Sequence, residues 1–308
     1  MSLARQLKLS HLRLIRAICQ HRQLGLAADS LAMTQSGASR MLSEIEKIVG
    51  EQLFERQAKG MVPTAICEAL ERRAHSILLD LDDLSREVDE LRNGETGVAT
   101  VGSVIGATLA YVIPAVRQLK KATPRVTVQL NVETSHDLMK GLVEGRNDFV
   151  LARLPPSFDV NEFEVHEGRS EIQNVLVGKH HPLADAGEVT VEELAAYEWV
   201  VHTTREPIEE ASDYSLSDSV GLLGDTIITT SELAMLAIVE STSAMTLLSS
   251  EVTSFLTGPS IGAKFRVLPL RGPIQLPPYH LVQLKGRQLS PAGRRLKALV
   301  MTQLGIAP

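Results

Sequence analysis

The sequence predicts an α+β multidomain chain, with an N-terminal winged helix-turn-helix, a long linker helix and a C-terminal two-lobed α/β domain. Three observations predict it. Within the first fifty residues, apolar side chains recur three and four apart in three short blocks. One unbroken stripe of the same spacing then runs from Cys67 to Leu91. From about Thr96 the pattern changes to short apolar runs alternating with helical segments, the rhythm of a parallel sheet. These features divide the chain into residues 1–64, 65–94 and 95–308. The last part has a first lobe over about 95–165 and 270–308 and a second over about 166–269.

Composition narrows the function classes. With 308 residues, 44% apolar and only 4% aromatic, the chain can bury a large core that must be aliphatic. The longest apolar runs, such as Val98–Val104, fall far short of a membrane span. The first residues lack the pattern of a secretion signal. Two cysteines, Cys19 and Cys67, are too few for a disulfide scaffold and are expected to be buried. A soluble cytoplasmic protein is expected, with no membrane contact, cofactor or metal. The net charge is −6, but residues 1–65 carry nine basic against five acidic side chains, leaving 22 basic against 32 acidic elsewhere. A basic segment on an acidic protein points to a polyanion at that segment.

The first helix is expected over residues 9–21, with Leu9, Leu12, Ile15 and Cys19 on one face. Leu26, Ala27, Ala28 and Leu31 make a small second helix. Thr34 is placed to cap a third helix, whose Ala38, Met41, Leu42, Ile45 and Val49 face inward and which ends at Gly50. Its exposed start carries Gln35, Ser36, Ser39 and Arg40. Such groups can read base edges when the N-terminal turns of a helix enter the major groove. A three-helix bundle with a polar surface has the same pattern. The next segment favours DNA: residues 53–64 form two extended pieces around Lys59-Gly60, a wing that brings Arg56 and Lys59 to the phosphate backbone.

The run Ala27-Ala28, Leu31–Gln35, Ser39–Leu42, Ile45-Glu46, Gly50–Arg56 and Pro63-Thr64 resembles the DNA-binding domain of LysR-type transcriptional regulators. Two residues depart from the family pattern. Ser36 stands where proline is usual, and Cys67 where a glycine often follows the wing threonine.

After the wing, a helix is expected to reach Arg92 and to stop at Asn93-Gly94. Its stripe is Cys67, Leu70, Ala74, Ile77, Leu81, Leu84, Val88 and Leu91, and a stripe of this kind needs a partner. The partner is either the chain's own C-terminal domain or a second copy. A dimer suits paired half-sites in double-stranded DNA. The family resemblance implies dimers and tetramers through this helix, and contact with RNA polymerase.

In the C-terminal part, strands are expected over Val98–Val104, Val126–Val132 and Asp148–Leu154, with helices over Thr108–Ala122 (interrupted by Pro114) and Ser135–Gly145. A second series comprises strands Asn174–Val177, Trp199–His202, Asp225–Thr229 and Met245–Leu248, with helices near Val191–Tyr197 and Ser231–Thr242. Tyr279–Leu284 and a helix from Ser290 to Leu304 return to the first lobe. Ligands of such sheets bind at the carboxyl ends of strands. The polar groups placed there are Ser103, Gly106, Thr108, Thr134, Ser135, Arg153, His202, Thr203, Thr229, Thr230 and Ser231. Each hydroxyl alone is as well explained as a helix cap; their recurrence favours an effector site.

Gly141-Leu142, Gly145, Asp148-Phe149, His181–Leu183 and Ser290–Gly293 resemble the LysR effector domain, itself similar to periplasmic binding proteins. Within the family, the chain is most similar to the galactose-binding-protein-regulator subgroup, which implies a sugar effector. A small carboxylate with Arg153 as its counter-ion fits the same groups. His180-His181 has no third ligand nearby to make a metal site, and neither a P-loop nor a nucleophile elbow occurs. The chain is therefore expected not to be an enzyme. The competing reading is a solute-binding protein or α/β enzyme with a helical appendage.

Overall fold

The computed structural model describes residue 3 and residues 6–57, 60–93, 97–202, 226–259 and 264–306. Two compact units emerge, Met1–Asp89 and Glu90–Pro308.

The first unit holds helices α1 (Leu9–His21), α2 (Leu24–Ser30) and α3 (Gln35–Val49), a hairpin of β1 (Phe54–Gln57) and β2 (Gly60–Pro63), and most of α4 (Ala65–Asn93). Leu14, Ile15, Ile18, Ala38, Leu42, Ile45 and Leu53 form its core with Ala27 and Ala28 of α2. These alanines let α2 lie close to its neighbours. Thr34 caps α3 by accepting the Gly37 N–H at 3.1 Å, and Gly50 ends it at a φ of +85°. The Glu46 carboxylate accepts the Leu53 N–H at 2.9 Å and so ties α3 to the hairpin. The hairpin docks on the end of α1, where the Met61 N–H donates to the Arg22 carbonyl at 2.8 Å. A Cβ at Gly60 would sit 2.4 Å from that oxygen, and its φ is +120°, so only glycine fits.

The expected linker helix is present as α4, but its stripe divides between two tasks. Cys67 is buried in the core just described, with Leu70 packed beside it. Ala74 is buried against Leu12, and Leu78, which the heptad pattern omits, completes that contact. Ala74 is thus satisfied within its own chain. Further along, Ile77, Leu84 and Val88 are 44%, 54% and 39% exposed. Leu91 keeps its backbone position in α4, but its side chain lies outside the described residues.

The second unit is built on one sheet. Strands β3 (Val98–Ser103), β4 (Thr127–Val132) and β5 (Phe149–Ala152) run parallel, as expected of the first series. Strands β7 (Trp199–His202) and β8 (Thr226–Thr229) are parallel too, and β7 meets β9 (Met245–Ser249) in parallel. Two strands are far longer than the sequence pattern shows. Strand β6 covers Phe163–Gly178 and β11 covers Ile274–Leu284, paired antiparallel along their length. The stretch of β6 outside the expected strand includes His166 to Glu171, which is mostly polar and carries no apolar alternation. The strand order is β4-β3-β5-β11-β6-β9-β7-β8, with β10 (Phe265–Val267) paired to β6.

The β6–β11 ribbon links two cores. One lies around β3, β5, α7 (Ser135–Val143) and α11 (Pro291–Leu304). The other takes in the end of β6, β7 and β9, with α8 (Val191–Leu194), α9 (Glu232–Ser241) and α10 (Ser250–Thr257) packed around them. At Gly168 the strands come so close that a Cβ would lie 1.6 Å from the Tyr279 carbonyl oxygen.

The helix expected from Thr108 begins earlier. It runs without a break as α5 (Ile105–Ala107), a π-turn (Thr108–Val112) and α6 (Ile113–Ala122), with Pro114 just after the π-turn, whose wider Ile113 N–H to Thr108 carbonyl bond goes with the proline in the helix interior. Buried Asp148 accepts the Thr100 N–H at 2.8 Å and lies 3.5 Å from the Arg287 guanidinium, which also donates to the Asn147 carbonyl at 2.6 Å. Ser290 caps α11 through the Gly293 N–H. In the His181-Pro182-Leu183 element, the His181 ring accepts the Leu183 N–H at 3.0 Å and meets the Ser243 carbonyl at 3.1 Å. Both ring nitrogens serve the fold.

Candidate functional site

In the first unit, α3 presents Gln35, Ser36, Arg40, Ser43, Glu44 and Lys47 to solvent, with Ser39 half-buried among them. The later part of this face lines a shallow cleft of about 720 Å³ with Gln6 and Lys8. The acid on it is not isolated. Glu44 lies 3.4 Å from the Lys8 ammonium and 3.7 Å from His11. Burial lowers the pKa of His11 from its ordinary value, so the ring is neutral at neutral pH. The Thr34 hydroxyl serves the cap and lies 3.3 Å from that of Ser36. Arg56 is exposed on β1, whereas Lys59 lies outside the described residues. Ser43 and Lys47 were not among the expected contacts. The steps from Ser36 to Arg40, Ser43 and Lys47 follow one helix face and would have found them.

In the second unit, part of the expected effector set converges. The Ser135 hydroxyl accepts the Arg153 N–H at 3.0 Å. The Arg153 guanidinium donates to the Pro277 carbonyl at 3.1 Å and pairs with the buried carboxylate of Glu171. A Cβ on Gly106 would stand 2.8 Å from Glu171 Oε1 and 2.7 Å from the Ser249 hydroxyl. Ser135, Arg153, Glu171, Gly106 and Ser249 therefore form one buried group where β5 and α5 face β6 and β9. Glu171 and Ser249 were not expected there, and no sequence signal marks them.

The Arg153 charge is met by Glu171, so the guanidinium does not stand as an unpaired counter-ion here. The other hydroxyls have local duties. Ser103 and Thr108 both donate to the Val104 carbonyl at 3.0 Å. Thr134 caps α7, and Ser231 caps α9. Thr229 accepts the Ser231 N–H at 3.1 Å, and Thr230 is exposed. His202 holds a backbone place in β7 opposite Thr229. Thr203 lies outside the described residues. Nearby, Glu251 Oε2 and the Tyr279 hydroxyl are buried without a well-formed hydrogen bond among the described residues. Burial, with Tyr111, Glu251 and Glu171 around it, holds the Tyr279 phenol well above its ordinary pKa and therefore protonated.

Residues 9–68 match the family model described as a bacterial regulatory helix-turn-helix protein of the lysR family, and residues 92–305 match the LysR substrate binding domain. The chain belongs to the LysR family of transcriptional regulators. It is a DNA-binding transcription regulator with an effector-binding domain, and not an enzyme. The HTH-type transcriptional regulator GbpR of Rhizobium radiobacter is 35% identical over 253 residues, covering 81% of this chain and 84% of that protein. GbpR of Azospirillum brasilense is 29% identical over 291 residues, 94% of this chain and 84% of that protein. Among solved structures, full-length LysG from Corynebacterium glutamicum with bound effector Arg has a TM-score of 0.59 at 19% identity, covering 98% of this chain and 100% of that one. At that identity the likeness concerns the fold alone.

Within the described residues, no helix is long and apolar enough to cross a membrane. No group of three or more His, Cys, Asp or Glu side chains there is placed to hold a metal ion.

Proposed function

We propose that this LysR-type regulator takes an uncharged polyhydroxyl effector, a sugar, in the buried group around Gly106, Arg153 and Glu171. The observation that carries this reading is the Arg153–Glu171 pair. A carboxylate entering there would meet Glu171 as well as Arg153, and like charges at short range in a poorly solvated site repel. A hydroxyl group can donate to the free lone pairs of Glu171, Ser249 and Glu251, and accept from Tyr279. Similarity to two regulators named GbpR agrees with the resemblance to the galactose-binding-protein-regulator subgroup, which implies a sugar.

On this reading a dimer formed through Ile77, Leu81, Leu84 and Val88 sets two α3 helices on half-sites of double-stranded DNA. Gln35, Ser36, Ser39 and Arg40 read base edges, and Arg56 and Lys59 hold phosphates. Dimers pair into tetramers, and RNA polymerase is the downstream partner. A protein that acts on bacterial DNA works in the cytoplasm. Effector binding shifts the balance between DNA-bound geometries by its differential affinity for them.

Titration calorimetry against neutral monosaccharides and small carboxylic acids tests the effector assignment. A neutral sugar is expected to bind and the acids are not. Glu171→Gln, by freeing Arg153, is expected to weaken sugar binding about tenfold or more and to admit a carboxylate. A carboxylate that binds the unmodified protein and loses its affinity in Arg153→Ala would overturn the proposal.

A further inference from the structure

We propose that Cys19 and Cys67 form a modification site, a thiol pair that a peroxide oxidises to an intrachain disulfide. Cys19 lies near the end of α1 and Cys67 in the first turn of α4, within the same compact unit. Their sulfurs are 3.8 Å apart and share a hydrogen bond. A disulfide needs a separation of about 2.0 Å, so a side-chain adjustment of under about 2 Å closes the bond. The chain has no other cysteine to compete.

The two sulfurs are unequal in a way that suits sequential chemistry. Cys19 is half-buried and reachable by a small oxidant, whereas Cys67 is fully buried behind it. The hydrogen bond shared with Cys67, helped by the Arg22 cation, draws the Cys19 thiol below its ordinary pKa against burial and the nearby Glu71 and Glu68 carboxylates. The same hydrogen bond, and then burial, push Cys67 up, which makes Cys19 the readier of the two to act as a thiolate.

Hydrogen peroxide supplies the oxidising equivalents. The Cys19 thiolate attacks one peroxide oxygen, the O–O bond breaks, and the departing hydroxide takes a proton to become water. Cys19 is left as a sulfenic acid. Cys67 then attacks the Cys19 sulfur, the S–O bond breaks, and a second water leaves with the Cys67 proton. Two thiols and one peroxide give one disulfide and two waters. The product joins the end of α1, whose Arg22 carbonyl holds the wing, to the start of the linker helix.

The test treats the full-length reduced protein with hydrogen peroxide, blocks remaining thiols, and maps peptides by mass spectrometry without reduction. Expected is a monomeric chain lighter by two hydrogens, with one linked peptide pair holding Cys19 and Cys67, restored by dithiothreitol. In Cys67→Ser, with its fold checked by circular dichroism, a dimedone adduct is expected on Cys19. Two free thiols after a peroxide dose that yields the Cys19 sulfenic acid in Cys67→Ser would overturn the proposal. So would links formed only between chains, or labelling of Cys67 alone. This outcome is independent of the effector assignment.

Discussion

Arg153 is expected at the carboxyl end of an apolar strand, and in the structure it follows β5 and pairs with Glu171. Its partner was hidden, because Glu171 lies on a strand whose polar half carries no pattern. The same limit explains the hydroxyls. Thr134 and Ser231 stand where a ligand contact and a helix cap have identical sequence signatures, and both prove to be caps. Gly106 gives the sharpest single-residue test of the proposed effector site. Gly106→Val would push side-chain atoms into Ser249 and Glu171. Effector binding is expected to fall by about a hundredfold or more, through about 3 kcal/mol of overpacking, while operator binding stays intact; calorimetry and fluorescence anisotropy read the two. Undiminished effector affinity would move the site elsewhere. A second test concerns pH. Burial lowers the pKa of His11, His181 and His280 from their ordinary 6.5. Below that value the unfolded chain takes up protons that the folded one refuses. Stability is therefore full above about pH 6.5 and falls as pH drops toward the folded-state values. Denaturant midpoints should be lower at about pH 5.5 than at about pH 7.5, and a flat profile would contradict the assignment of these rings as neutral.

At the scale of elements, legibility follows local periodicity. Helices α1, α3 and α4 are readable to within a residue or so because each carries one apolar stripe, and α3 and α4 end at recognisable stops, Gly50 and Asn93. Strands β6 and β11 were readable only at their buried ends, since their middle sections pair with each other rather than with a continuous core. The linker stripe was visible but not its division. Leu12 claims Ala74 and Leu78 for the head, leaving Ile77, Leu84 and Val88 exposed at heptad spacing. Leu84→Asp should therefore leave the thermal midpoint of the fold nearly unchanged while weakening self-association by about 2–3 kcal/mol, seen as monomer in sedimentation velocity. A variant that remains fully dimeric would show that the exposed stripe is not the contact.

For the whole molecule, the uneven charge carries the most information. An excess of nine basic over five acidic side chains in the first 65 residues sits on a chain of net charge −6. That balance lets the head meet phosphates while the acidic remainder keeps the protein from adhering along DNA at random. On the proposed function, salt-sensitive operator binding is coupled to the effector site around Gly106 and Glu171. The most direct measurement is selection of genomic DNA fragments by the purified full chain at two salt concentrations, with and without neutral sugars, followed by footprinting with Arg40→Ala as the control. The account predicts a dyad-symmetric site bound more weakly at higher salt, a footprint that changes with one sugar, and a loss of about ten- to a hundredfold in Arg40→Ala. Binding with no site preference, or a selected site held equally well by Arg40→Ala and indifferent to every sugar, would contradict it.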